Sequence, residues 1–352
     1  MIREVACIII PKVHGYTPGR SAGLQRGGGC AAIADRMPTY WELMLLVLPV
    51  FAVMAVGVGL RRVGWLNATA DASLLKLVVN LLYPALIFEN VHANPALRTV
   101  GNLAWAPLVG FGTVAVGIAL CYYAAQALGL TVGAGRRTFA FSTGIYNYSY
   151  MTVPLMVALF GGDSLGVLFV HNVGVEAAVW TVGVLVLAGE SLRTGWRQLL
   201  NPPVLGLVLA VAVNLSGLGP HVPEAGLGVV RALAACAIPL GLLLSGATMA
   251  EHLFTQPVDL FEWRTSLVAV ALRLGALTGL FLLLAKFGPF SADLKHVIVV
   301  QAAMPAAFLP LVLVKHHGGH SLTAMRCVLA TVVASILLMP LWLRVGLVWV
   351  GG

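Results

Sequence analysis

Charge is scarce in this sequence. Asp, Glu, Lys and Arg make up 10% of its 352 residues, against about a quarter in an ordinary soluble domain, so a water-solvated globular surface is excluded. Acidic residues are the scarcest, 13 against 21 Lys and Arg, for a formal charge of +8. That excess is spread thinly over a chain that is 59% hydrophobic, with a mean hydropathy of +0.93. A disordered chain and a nucleic-acid partner are therefore excluded, and the positive charge reads as loop charge. The five cysteines, at 7, 30, 121, 236 and 327, include no CxxC pair, so neither a disulfide framework nor a zinc site is suggested. There is no phosphate-binding glycine loop, no GxSxG elbow and no HExxH helix. The sequence thus points to no catalytic residue, no cofactor and no metal. The HHxxH run at His316, His317 and His320 reads as a solvated loop, with no acidic or cysteine ligand close by.

Long apolar runs are abundant. A membrane-crossing helix needs about 20 apolar residues, and ten such runs occur, near 43–60, 72–92, 104–128, 138–159, 165–187, 202–217, 227–249, 265–286, 294–315 and 322–349. The expectation is an all-α, multi-pass integral membrane protein. Residues 1–36 differ: five arginines and lysines surround a Gly-rich stretch, and the apolar run Val5 to Ile10 is too short for a signal-peptide core. With Met37-Pro38-Thr39 directly before the first span, 1–36 reads as a non-native or disordered extension. Lys and Arg in the short loops divide eight against five. Arg61, Arg62, Arg136, Arg137, Arg193, Arg197, Arg264 and Lys315 lie on one side, and Arg98, Arg231, Lys286, Lys295 and Arg344 on the other. The richer side is expected in the cytoplasm of a cell (inner) membrane protein, which puts both termini outside and leaves the Asn67-Ala-Thr69 sequon unused.

The chain also repeats itself. Pro84 and Pro239 are 155 residues apart, Pro154 and Pro305 are 151 apart, and Pro49 lies 153 or 154 before Pro202 or Pro203. Gly161-Gly162-Asp163-Ser164-Leu165 recurs 157 residues on as Gly318-Gly319-His320-Ser321-Leu322. Four landmarks at nearly one offset divide the chain into a first five-helix repeat over 37–188 and a second over 189–352. An odd number of spans inverts the second copy in the membrane.

Spans 4 and 9 are the candidate broken helices. Span 4 carries the polar stretch Gly144-Ile-Tyr-Asn-Tyr-Ser-Tyr-Met-Thr-Val-Pro154, and span 9 carries Gln301-Ala-Ala-Met-Pro305. Opened backbone at membrane depth is tolerated where it is buried in protein or lines a cavity, and half-helix N-termini there favour an anion. The plainer alternative is a proline kink in each. Two ionisable residues lie deep in apolar spans, where an unpaired charge costs about 3 kcal/mol or more. Glu176 is central in span 5, with Asn172 one turn earlier and His171 beside it, and Arg273 lies roughly 13 Å into span 8. They read either as an anion-attracting charge with a partner or proton-coupled group, or as a structural ion pair. Lys76, Glu89, Arg231 and Arg326 are near span ends and are expected to snorkel.

From about Leu48 to Arg344 the sequence resembles the auxin efflux carrier family, related in fold to the bile acid sodium symporters. The resemblance rests on the order and spacing of LPVFAVMAVGVGLRRVGWL (48–66), LLKLVVNLLYPALIFENV (74–91), NYSYMTVPLMVALFG (147–161), NPPVLGLVLAVAV (201–213), AIPLGLLLSGATM (237–249) and AAMPAAFLPLVLV (302–314). It implies ten helices in two inverted five-helix repeats, with helices 4 and 9 crossing at Pro154 and Pro305. It further implies a scaffold, an elevator-like mobile domain, and small dicarboxylates such as malonate, or auxin, as substrates. Asn147 matches the family's asparagine before the helix 4 proline, and Arg273 falls where members often carry a basic residue. One departure is Thr152-Val153 where a small glycine usually precedes that proline.

The expectation is therefore a secondary carrier of a small organic anion, in a lipid bilayer, with a homodimer left open. Asn147, Tyr148, Thr152, Pro154, Gln301, Met304 and Pro305 are expected to line its site and Arg273 to supply charge. No acid stands in the crossing segments, so transport without sodium is expected, while proton coupling through Glu176 or His171 stays open. The alternatives are a proton or cation antiporter using Glu176 and, more remotely, a membrane-embedded enzyme or sensor.

Overall fold

The structure, a computed structural model, describes residues 38–132, 135–188, 200–255 and 262–351. The expected extension over 1–36, and the loop residues Arg193 and Arg197, lie outside them.

Helix starts follow local chemistry. Thr39 caps α1 (Tyr40–Arg62) in a reciprocal box with Glu42, its own N–H donating to Glu42 Oε2 at 2.8 Å. Asn67 caps α2 (Ala68–Leu77), accepting from Ala70 N at 2.9 Å, so the sequon asparagine is a helix cap. A π-helical turn, Val78–Leu82, joins α2 to α3 (Tyr83–Val91), directly ahead of Pro84, whose missing N–H the irregular turn accommodates. A 3₁₀ turn at Pro95–Arg98 leads to α4 (Val100–Ala127). Next come α5 (Arg136–Gly144) and α6 (Thr152–Phe160), then α7 (Asp163–Ala178), which continues through a π turn, Val179–Gly183, into α8 (Val184–Ala188).

Asn201 caps α9 (Pro202–Leu215), and α10 (Glu224–Thr255) runs unbroken through Pro239. A third π turn, Leu272–Ala276, joins α11 (Trp263–Ala271) to α12 (Leu277–Phe287). The chain ends with α13 (Ala292–Ala302), α14 (Leu309–His316) and α15 (Ser321–Gly351). Among the described residues the regular structure is all helical, with a single isolated β-bridge.

Seven helical stretches are long and apolar enough to cross a bilayer: Tyr40–Arg62, Thr69–Val91, Val100–Ala127, Ser164–Ala188, Glu224–Glu251, Trp263–Phe287 and Ser321–Gly351. The protein is a multi-pass membrane protein. The other three apolar runs take different forms. The run at 202–217 yields the 14-residue α9, about 21 Å long at helical rise and shorter than a hydrocarbon core. The runs at 138–159 and 294–315 are interrupted helices, α5/α6 and α13/α14. Trp41, Trp65 and Trp263 stand exposed at helix ends, and Leu45, Leu108, Val208 and Leu209 are exposed along helix faces. Such a surface suits acyl chains with an interfacial aromatic belt.

The helices pack as two groups. α1, α3, α9 and α10 pack on one another; α4, α5, α6, α7, α11, α12, α13, α14 and α15 form a second set. α1 against α15, α3 against α7 and α1 against α6 join the two. Glycines let backbones touch at the tightest crossings. Gly57 lies on the Leu243 carbonyl and Gly246 on the Met54 carbonyl between α1 and α10; Gly110 lies on the His171 carbonyl and Gly174 on the Pro107 carbonyl between α4 and α7. This is the small-residue packing of helices in lipid, where close contact replaces the hydrophobic drive.

Candidate functional site

The two interrupted helices cross at their gaps. Residues 145–151 separate α5 from α6, and 303–308 separate α13 from α14. In those gaps Tyr146 and Ala306 form an antiparallel bridge: Asn147 N donates to Pro305 O at 2.8 Å, and Ala307 N to Ile145 O at 2.9 Å. Backbone groups freed from each helix are thus satisfied by the other, which is what burial at membrane depth demands. Helices on either side fix the bridge. Thr113 of α4 meets the Tyr146 hydroxyl at 2.9 Å, and Thr331 of α15 accepts from Ala306 N at 3.2 Å.

The prolines play unequal parts. Pro154 lies in the first turn of α6, where a missing N–H costs nothing, so the helix stops before it rather than at it. Pro305 lies inside the gap, and Pro310 occupies the corresponding first-turn place in α14.

One connected polar network fills the crossing. The Thr152 hydroxyl donates to Asn147 O at 2.7 Å and lies 3.2 Å from Gln301 Oε1. Gln301 Nε2 donates to Asn172 Oδ1 at 3.2 Å and reaches Tyr148 O at 3.4 Å; Asn172 Nδ2 donates to that same carbonyl at 2.8 Å. The Tyr148 hydroxyl continues to Glu176 Oε1 at 2.7 Å, and Trp180 Nε1 donates to Glu176 Oε2 at 2.8 Å. Asn147, Tyr148, Thr152, Asn172, Glu176 and Gln301, from three separate places in the sequence, therefore meet. Met304 is fully buried in the gap. His171 is buried beside the network, its Nδ1 at 3.4 Å from Asn172 Oδ1.

Arg273 and Glu176 do not meet. Arg273, on the third π turn, has no exposed surface. Its guanidinium lies over the rings of Tyr146 and Phe281, which pack edge to face on each other, 5.2 and 5.1 Å from the ring centres, with Nη2 at 3.5 Å from the Ala302 carbonyl. The ion pairs among the described residues are Arg61 with Asp71 and Glu251, Arg231 with Glu224, and Arg326 with Glu262; none involves Arg273. A structural Arg273–Glu176 pair is thus replaced by separate surroundings for each, because the crossing segments stand between α7 and the π turn.

Three buried N–H-bearing atoms around the crossing have no partner: Asn147 Nδ2 and Arg273 Nε and Nη1. Each is a pure donor. A region with surplus buried donors and an uncompensated cation is chemically matched to an acceptor-rich, negatively charged guest.

A cavity of about 300 Å³ lies beside the crossing, and none of the network residues lines it. Its walls are apolar, from Pro49, Val50 and Val53 of α1, Leu86 of α3, and Ile238, Pro239 and Leu242 of α10, and it reaches Val153 and Pro154 in the first turn of α6. Glu89 and Asn90 at the end of α3 are its polar lining. Sequence reasoning placed Glu89 at a span end, snorkelling; the fold turns it into a cavity wall. It also missed Tyr150, whose ring sits against Gly241 of α10, and Tyr83, which packs edge-on to Tyr150 at 6.1 Å. These contacts join remote helices and leave no local pattern to read. His316 and His317 lie edge to face, His320 Nδ1 meets Thr323 Oγ1 at 2.8 Å, and no cluster of three or more His, Cys, Asp or Glu forms among the described residues.

Comparison with known proteins adds a family. The family described as "Membrane transport protein" matches residues 43–194 and 191–343. Over 302 residues, 84% of this chain and 96% of the relative, the chain is 25% identical to an "Uncharacterized transporter" of Methanothermobacter thermautotrophicus.

Proposed function

The chain belongs to the membrane transport protein family of auxin efflux carrier type, and from that premise we propose that it is a secondary carrier of a small organic anion. The observation that carries the reading is the set of unpartnered donors around the crossing, Asn147 Nδ2 above all, backed by Arg273 without a carboxylate partner.

The carboxylate of the substrate enters along the apolar cavity to the first turn of α6, where the positive end of the helix favours it. Thr152, Gln301 and Asn147, buried beyond the inner end of the cavity, form the polar floor that the substrate must reach. Arg273 acts from behind that floor, raising the potential without touching the anion. The apolar walls, and Glu89 among them, suit one carboxylate on an apolar body better than a compact dicarboxylate such as malonate. The loop charges put the cavity mouth outside the cell.

Movement is of the elevator kind: α1, α3, α9 and α10 form a scaffold, and the group carrying the crossed helices slides past it. Ten spans in two inverted five-helix repeats, meeting near residue 189, account for the matched proline spacings and for two interrupted helices that cross gap to gap. The test is counterflow of labelled anions in liposomes. Saturable exchange that is lost in Asn147→Leu supports the reading; exchange unaffected by that change removes its foundation.

A second reading, a proton- or cation-coupled antiporter, is favoured by Glu176 alone, a carboxylate in the network held by Tyr148 and Trp180. Replacing Glu176 by Gln abolishes an antiporter and only modulates an anion carrier.

A further inference from the structure

We propose that the Arg273 guanidinium is a resident cation, holding as part of the chain the position at the carboxyl end of α13 that a co-transported cation would otherwise fill. For its transport consequence this rests on the anion-carrier reading; for its binding consequence it does not.

Three features place a positive charge there. α13 ends at Ala302, where the chain opens into the gap, and the last carbonyls of a helix carry its partial negative charge. The Ala302 carbonyl accepts from Thr278 Oγ1 at 2.8 Å and faces Arg273 Nη2 at 3.5 Å. In carriers built on interrupted helices, unwound carbonyls and half-helix carboxyl ends are where coupling cations are coordinated. Here the corresponding ligand is a side chain from α11–α12.

The surroundings of Arg273 explain why it stays. The adjoining rings of Tyr146 and Phe281 both lie within cation–π reach of the guanidinium, an arrangement that stabilises a desolvated cation. Its Nε and Nη1 lack hydrogen-bond acceptors, so the group is held mainly by charge and by the rings, as an enclosed ion is. The residue has no exposed surface and is absent from the cavity wall. On the side of the crossing it is covered by Tyr146, whose neighbours are paired across the bridge. The geometry therefore suits a fixed counter-charge travelling with the substrate better than a substrate ligand. No acid from α5, α6, α13 or α14 pairs with it, and a sodium ion at the same carbonyl would face a like charge.

Removing the guanidinium should leave a vacant cation position. Purified wild type and Arg273→Ala are compared by thermal unfolding in choline chloride, with sodium, potassium or methylguanidinium chloride added at equal ionic strength. Wild type is expected to unfold at the same temperature in all four. Arg273→Ala should rise saturably with at least one small cation, by about 3 °C at ten times its dissociation constant. Arg273→Lys, which keeps a charge, should not respond. If Arg273→Ala is not recovered folded, Arg273→Ser carries the same measurement.

An alanine or serine variant blind to all three cations would overturn the proposal, and so would a wild-type protein that responds as strongly as the variant. In liposomes, wild-type anion exchange should be equal in sodium and choline and that of Arg273→Ala should depend on the added cation. Absence of any anion exchange, with the cation-dependent unfolding present, would refute the carrier reading and leave the resident cation standing.

Discussion

Gly241→Ala is a small change with a large expected effect. Gly241 lies in α10 two residues beyond Pro239, and a Cβ there would come to 2.8 Å of Tyr150 Cγ and closer still to two other ring atoms. Carbon atoms pack at about 3.5–4.0 Å, so to clear its nearest atoms the ring must retreat by roughly 1.3–1.8 Å. Tyr150 belongs to the gap between α5 and α6 and packs against Tyr83 of α3. The ring therefore cannot retreat without disturbing the polar floor or the contact between the two helix groups. Overpacking of this kind costs about 1–3 kcal/mol, while alanine improves helix propensity by about 1 kcal/mol. Stability is then expected to fall by about 0–2 kcal/mol, and the arrangement with Tyr150 seated against α10 to be disfavoured by about 5- to 150-fold.

The assay is anion counterflow in liposomes together with gel filtration and thermal unfolding of the same preparation. Gly241→Ala should be folded and slow, and Gly241→Ala/Tyr150→Ala should recover rate relative to the single variant, since the clash is gone. Wild-type rate in Gly241→Ala, or a double variant slower than either single one, would refute the argument that this contact is part of the working cycle.

Other outcomes follow from the site. Gln301→Leu removes contacts to Thr152, Tyr148 and Asn172; at about 0.6 kcal/mol for each such bond in a membrane protein it should lose about 2 kcal/mol, seen as a drop of a few degrees in unfolding temperature. Glu176→Gln should retain anion exchange within tenfold of wild type, because one of the two donors, Tyr148 or Trp180, can still be answered; complete loss would favour antiport. Glu89→Gln should improve competition by dicarboxylates by about tenfold relative to apolar monocarboxylates, as a like charge in the cavity wall is removed; unchanged ranking in a competition assay would count against substrate passage along this wall. Arg61→Ala, which breaks contacts to Asp71, Glu251 and the Ala247 carbonyl between α1, α2 and α10, should destabilise by about 1–3 kcal/mol in thermal unfolding.

Much of the fold was legible because hydrophobic length is a strong local signal. Runs such as 43–60 and 322–349 became α1 and α15, and Pro154 and Pro305, with their polar neighbours, marked the two interruptions. What lay hidden was tertiary. Pro84 and Pro239 read alike, yet one sits behind a π turn and the other inside an unbroken helix, because neighbouring helices decide how a freed carbonyl is satisfied. The run at 202–217 passed for an ordinary span although only 14 of its residues are helical. At the site, Asn147, Thr152, Asn172 and Gln301 were recognisable as polar residues that apolar spans do not carry without cause. Arg273 was found by the same logic, but its partners were not. The sequence offered one deep acid and one deep base, and pairing them was natural. The fold instead puts ring faces and a helix end around the base, and a tyrosine and a tryptophan around the acid.

The most direct test of the carrier reading is counterflow. Wild-type protein in liposomes loaded with unlabelled anion is offered labelled malonate, malate, oxalate or indole acetate, beside Asn147→Leu. The account predicts saturable accumulation of one of these anions, strongest for a carboxylate on an apolar body, that is lost in the variant. Folded wild-type protein that exchanges none of them, but exchanges a cation or protons in a Glu176-dependent way, would contradict it.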